Sequence, residues 1–90
     1  MTFDWDDANI EHIAAHQISP EEAEEALSDP LRIPAPAYRI GGERRRAVLG
    51  STEVGRLLFV FTTRRGNGIR MITARDATTS ERRRYRERGK

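Results

Sequence analysis

The sequence predicts an α+β fold: a small antiparallel sheet of three to four strands, with two helices before it and one after. Three observations predict it. Two capped helix starts, at Asp6 and Ser19, precede residue 30. An apolar run, Leu57 to Phe61, leads into the hairpin signal Arg65-Gly66-Asn67-Gly68. A third capped start, at Thr78, follows the last strand-like segment.

The elements follow in order. Phe3-Asp4-Trp5 alternates apolar and polar and is long enough only for a short edge strand. Asp6 caps a helix from Asp7 to about Gln17, with Ile10, Ile13 and Ala14 on one face. Ser19 caps a second helix, with Pro20 at its first position and Glu22 closing a capping box. Ala23, Ala26 and Leu27 form its narrow buried stripe, and Asp29-Pro30 ends it. Pro30, Pro34 and Pro36 make Leu31 to Tyr38 an edge strand or an extended strap. Gly41-Gly42 is a turn, Arg44 to Leu49 a strand, and Gly50 to Gly55 the next turn. Arg56 to Thr63 reads as the central strand, covered on both faces. Ile69 to Arg75 returns beside it. Strict alternation puts Ile69, Met71, Thr73 and Arg75 on one face and Arg70, Ile72 and Ala74 on the other. Thr78 and Glu81 open the last helix, whose one large apolar residue is Tyr85. Nothing repeats and no linker divides the chain, so one domain over residues 1–90 is expected.

Composition narrows the chemistry. The chain has 90 residues and no cysteine, which excludes disulfides, thiolate catalysis and Cys-based zinc sites. Its longest apolar run is far too short to span a membrane, and its first residues do not read as a signal peptide. A cytoplasmic protein is expected. The net charge of +2 conceals a segregation: residues 1–30 carry nine acidic and no basic residues, while all sixteen basic residues follow, fifteen of them Arg. That asymmetry points to a polyanionic partner for the basic part, and Arg favours bidentate contact with phosphate or carboxylate.

His12 and His16 share a helix face, a spacing that could hold a metal. Only Glu11, Asn9 or the Asp residues of the same segment stand near to join them, so no metal is assigned and no cofactor is expected. His16 is the better candidate for proton transfer, beside its ordinary role at a helix end. Glu21, Glu22, Glu24 and Glu25 read as a solvated face that also favours the helix start. Arg44 and Arg46 point to one face of their strand and Arg45 to the other. Arg75 ends a semi-buried row and needs an acid or a phosphate, with Asp76 or Glu81 as its structural partner. Few aromatic residues are expected on exposed strands, which argues against base stacking. No phosphate loop, nucleophile elbow or zinc-finger spacing is present.

Trp5-Asp6, Asn9, His12, His16-Gln17-Ile18-Ser19, Glu21-Glu22-Ala23 and Asp29-Pro30 resemble the opening of BrnT-family toxins. Gly55 to Val60 and Ile69 to Ala77 resemble their central hairpin, and Glu81-Arg82-Arg83-Arg84-Tyr85 their last helix. The resemblance implies a RelE-like ribonuclease fold with helices on one side of the sheet. It implies the toxin of a type II toxin–antitoxin pair, which cleaves RNA, slows translation and is neutralised by a BrnA-type antitoxin in a symmetric heterotetramer. Where the family often has His-Gly at the end of the first helix, this chain has His16-Gln17; glycine there would take a left-handed cap. Many members also carry Lys where this chain has Arg44 to Arg46.

Cleavage of RNA without a metal needs a base, phosphate-stabilising cations and an acid. The expected catalytic set is Arg75, Arg64 and Arg46 as phosphate clamps, Glu81 or His16 as base, and Tyr85 or His16 as acid. Arg44, Arg45, Arg70, Arg82 and Arg83 are the expected RNA contacts. The competing reading is a basic module that binds RNA or a protein without cutting.

Overall fold

The computed structural model describes residues 2–35 and 38–88, with Tyr38 described in its backbone alone. Pro36, counted above in the proline-rich strap, lies outside them. Two helices come early: α1 (Asp7–Ala14) and α2 (Pro20–Leu27). Both start as their caps dictate. The Asp6 carboxylate accepts from the Asn9 amide, and Ser19 and Glu22 form the reciprocal capping box behind Pro20. The chain then supplies β2 (Ile33–Pro34), β3 (Tyr38–Ile40), β4 (Glu43–Ser51), β5 (Leu57–Arg65) and β6 (Gly68–Asp76). Strand β1 (Thr2–Asp4) opens the described chain and α3 (Thr79–Glu87) closes it.

The fold is α+β, but the sheet is mixed and has six strands in place of an antiparallel three or four. Its order is β1-β6-β5-β4-β2, with β3 also paired to β4. The three long strands form the expected antiparallel meander around the Gly66-Asn67 turn. The extra strands are short. Strand β1 runs parallel to β6, because the helices and the other strands intervene and leave no hairpin to reverse it. The proline-rich strap follows the outer edge of β4 and pairs in two pieces, β2 and β3. Proline has no N–H for a ladder, so such a strand belongs at an edge.

Helices α1 and α2 cover one face. There Ile13, Ile18, Ala23, Ala26 and Leu27 pack on Leu58, Val60, Met71 and Ala74. Alanine on α2 lets helix and strand approach closely. A Cβ built on Gly50 would lie 2.0 Å from the carbonyl oxygen of Ala26, so Gly50 is a contact point within β4, where the sequence suggested a turn. Helix α3 lies on the opposite face, so the helices are not confined to one side of the sheet. That opposite face is only partly closed. Ala47 and Leu49 are buried, but Phe59 and Phe61 are only partly buried, and β5 is not fully covered on both faces as its sequence suggested.

A β-bulge decides which residues of β6 share a face. The register jumps between Phe61 and Thr62, which pair with Thr73 and Met71, leaving Ile72 as the extra residue. The Asn9 side chain of α1 donates to the Ile72 carbonyl at 3.4 Å. Strict alternation therefore fails in β6. Ile69, Met71 and Ala74 share the α1/α2 face, while Arg70, Thr73 and Arg75 share the α3 face.

Gln17, just beyond α1, has φ 60, the left-handed region that glycine occupies most readily. This is the position where the family's glycine was expected to take a left-handed cap. Gln17→Gly is expected to raise stability by about 0.5–1 kcal/mol in denaturant titration. Gly50→Ala is expected to lower it by about 2–3 kcal/mol, because the new methyl must displace the α2 backbone.

Candidate functional site

The α3 face is built in rows by strand register. One row is Arg45, Thr63 and Arg70; the next is Ala47, Phe61 and Thr73; the third is Leu49, Phe59 and Arg75. Successive rows are about 7 Å apart. Phe59 and Phe61 stack in parallel, centroids 5.1 Å apart and planes 13° apart. The Arg75 guanidinium lies 4.9 Å from the Phe59 centroid and 5.9 Å from that of Phe61, in cation–π contact with both. It also forms a bidentate pair with Glu81, at 2.8 and 3.0 Å.

Glu81 has two tasks. The same carboxylate accepts from the Thr78 amide at 2.9 Å and completes the capping box of α3. The Arg75 hydrogen bonds, against some burial, hold the Glu81 carboxyl below the usual range, and Glu81 in turn raises Arg75 above the ordinary arginine value. Glu81 is therefore ionised at neutral pH. Of the two structural partners expected for Arg75, Glu81 takes the guanidinium; Asp76 offers only its backbone carbonyl, at 3.2 Å. The first row is looser. Arg70 reaches Asp6 at 3.5 Å, and Arg45 lies 4.0 Å from Glu43 with its buried Nε unpartnered.

Tyr85 anchors α3. Its hydroxyl donates to Asp29, which also accepts from the amides of Leu31 and Ser51, both at 2.9 Å. Burial works to raise the Asp29 carboxyl, but the three donors bring it below its ordinary value. Burial and the Asp29 partner push the Tyr85 phenol up, so it keeps its proton. Arg88 stacks on the Tyr85 ring, 3.8 Å from its centroid. The sequence marked Asp29 only as a helix stop; its role as an acceptor for three donors depends on tertiary neighbours and has no local signal.

The other expected residues lie elsewhere. Arg44, Arg46 and Arg64 share the α1/α2 face, opposite Arg75, so the three expected clamps do not converge. Arg44 and Arg46 line a groove of about 610 Å³. His16 lies at the end of α1, its ring stacked on His12 at 6.5 Å. Its carbonyl accepts from Arg56, a residue read only as a strand start. Arg56 also donates to the Gln17 carbonyl at 2.7 Å, to Glu22 at 3.2 Å, and to Asp76 at 2.9 and 3.2 Å. It thereby ties the end of α1, the start of α2 and the end of β6 together. Arg82 reaches the Ala77 carbonyl at 3.4 Å, and Arg83 is exposed on α3. Among the described residues no three His, Asp or Glu side chains gather as metal ligands, and no helix is long and apolar enough to cross a membrane.

Helix α3 buries no residue completely, so its attachment rests on Tyr85 and Glu81. Tyr85→Phe is expected to lower stability by about 1–2 kcal/mol, read by chemical denaturation, because Asp29 loses a charge-assisted donor.

No curated protein matches the chain. The family model for the ribonuclease toxin BrnT of type II toxin–antitoxin systems matches residues 5–81, most of the chain. With its capped helices, its central hairpin and its Arg75–Glu81 pair in that span, the chain belongs to the BrnT family of ribonuclease toxins.

Proposed function

We propose that this protein is a RelE-like, metal-independent endoribonuclease that cleaves RNA, slows translation, and is neutralised by a BrnA-type antitoxin. The observation that carries the reading is the α3 face: Arg75, locked to Glu81, lies over two stacked phenylalanine rings, two rows from Arg45 and Arg70. Single-stranded RNA is held by bases stacking on aromatic rings and by cations beside its phosphates. Partly buried Phe59 and Phe61 supply the rings, and Arg75, Arg45 and Arg70 the cations.

In this reading Glu81 takes the proton from the 2′-hydroxyl. The 2′-oxygen then bonds to phosphorus, the bond to the 5′-oxygen breaks, and a 2′,3′-cyclic phosphate remains. Arg75 holds the non-bridging oxygens as charge builds on them. The leaving 5′-oxygen needs a proton. Tyr85 has already committed its own to Asp29, and His16 stands past the end of α1 on the other side of the sheet, so this proton comes from water. The low basicity of Glu81 favours a slow enzyme, since a weaker base takes a proton less readily.

End-labelled RNA incubated with the protein in EDTA tests this. The wild type is expected to leave 2′,3′-cyclic ends. Arg75→Ala and Glu81→Gln are each expected to slow cleavage by about 100-fold or more, with a cooperative melt retained and a loss of stability of no more than about 1–2 kcal/mol from the weakened α3 attachment. Phe61→Leu is expected to weaken RNA binding by about 1 kcal/mol or more. A rate unchanged by Arg75→Ala removes the central claim, and one slowed about tenfold or more by His16→Ala overturns the assignment of the leaving-group proton to water. Salt-sensitive binding without cleavage identifies a binding module instead.

A further inference from the structure

The α1/α2 face holds a groove that the ribonuclease reading leaves unused. It opens beyond the end of α2, has Leu27, Val48 and Ile69 along its floor, and is rimmed by Arg32, Arg44 and Arg46. Its volume is about 610 Å³. Arg44 and Arg46 make no ion pair or side-chain hydrogen bond among the described residues, and Arg32 gives one N–H to the Asp29 carbonyl at 3.1 Å. Arg56 and Arg75 are held by carboxylates, whereas these rim guanidiniums, like the exposed arginines of α3, carry no ion pair among the described residues.

We infer that this groove is where an acidic, amphipathic segment of the antitoxin docks, an inference that rests on the toxin–antitoxin reading above. Charge complementarity selects the occupant. Arg44 and Arg46 are about 7 Å apart along one strand face, close to the spacing of two carboxylates one helical turn apart. Guanidinium forks donate bidentately to carboxylates. The aliphatic floor buries Leu or Ile side chains between those pairs, as helix-in-groove recognition requires. RNA fits this groove less well: its floor offers no ring for a base to stack on, whereas the opposite face offers two. Strand addition is disfavoured as well, because β2 forms the adjoining edge and its Pro34 has no N–H to donate.

The chain has no cysteine, so one introduced thiol reports one place. Three variants serve: Arg46→Cys in the groove, Thr73→Cys on the α3 face, and Val54→Cys in an exposed turn. Their maleimide alkylation rates are measured alone, with saturating purified BrnA-type antitoxin, and with a single-stranded RNA oligonucleotide. Co-elution of wild type and antitoxin on size exclusion is checked first. The antitoxin is expected to slow Arg46→Cys at least tenfold and to leave Val54→Cys within twofold. RNA is expected to slow Thr73→Cys and not Arg46→Cys. If Arg46→Cys alone loses co-elution, the groove is supported by the lost arginine. Co-elution with an unchanged Arg46→Cys rate overturns the groove, as does RNA slowing Arg46→Cys as much as antitoxin does. Failure of the wild type to co-elute overturns the pairing and the proposal together. None of these readings requires cleavage, so an inactive enzyme leaves the docking result standing.

Discussion

The single extra residue in β6 decides the chemistry of this protein. Without the bulge at Ile72, Arg70 and Arg75 would point to opposite faces, because side chains alternate along a strand. With it, both join Arg45 and the two phenylalanines on the face that α3 leaves half open, while Met71 and Ala74 both stay in the core. At the bulge, the Asn9 side chain of α1 donates to the Ile72 carbonyl. A helix on one face of the sheet thus contacts the residue that sets the charge pattern of the other.

Arginine has two roles in the fold, and pairing separates them. Arg56 and Arg75 are structural cations, each held by carboxylates, and each raised above the ordinary arginine value by those partners. Arg56 fastens three elements whose own apolar stripes are narrow, a considerable service in a chain this short. Arg75 fastens α3 while its outer side stays partly exposed over the rings. Arg44 and Arg46 have no such partner and are solvent-facing charge on an otherwise aliphatic groove. The charge segregation along the sequence is thus resolved in space: part of the basic half neutralises acids of α2 and of the loops beside it, and the rest is left for ligands.

Much of this was legible in the residues. All three helix starts follow from their capping residues and the hairpin from Gly66-Asn67, while the left-handed Gln17 falls where the family often has glycine. The Arg75–Glu81 pair was one of two partners that sequence allowed. The bulge was not legible, since nothing in Arg70-Met71-Ile72-Thr73 marks a break in alternation. Every facial assignment that depended on it was reversed, and so was the expected convergence of Arg75 with Arg46 and Arg64. The exposure of Phe59 and Phe61 was missed for a related reason: an apolar run signals burial but cannot say that a short helix covers only part of a face. Asp29 and Arg56 act through contacts distant in sequence, to Tyr85, Ser51 and Asp76, and no local pattern announces those.

Helix α3 gives the molecule two levels of stability. Since none of its side chains is fully buried, detaching it removes an ion pair, a cap and a phenol–carboxylate contact but leaves the core under α1 and α2 intact. Its amides therefore exchange with solvent through a local opening, at lower free energy than the global unfolding that releases those of β5. Because Glu81 travels with the helix, each opening also frees Arg75 from the carboxylate that pairs it, so the anchoring of one surface helix and the charge state of the site are a single equilibrium.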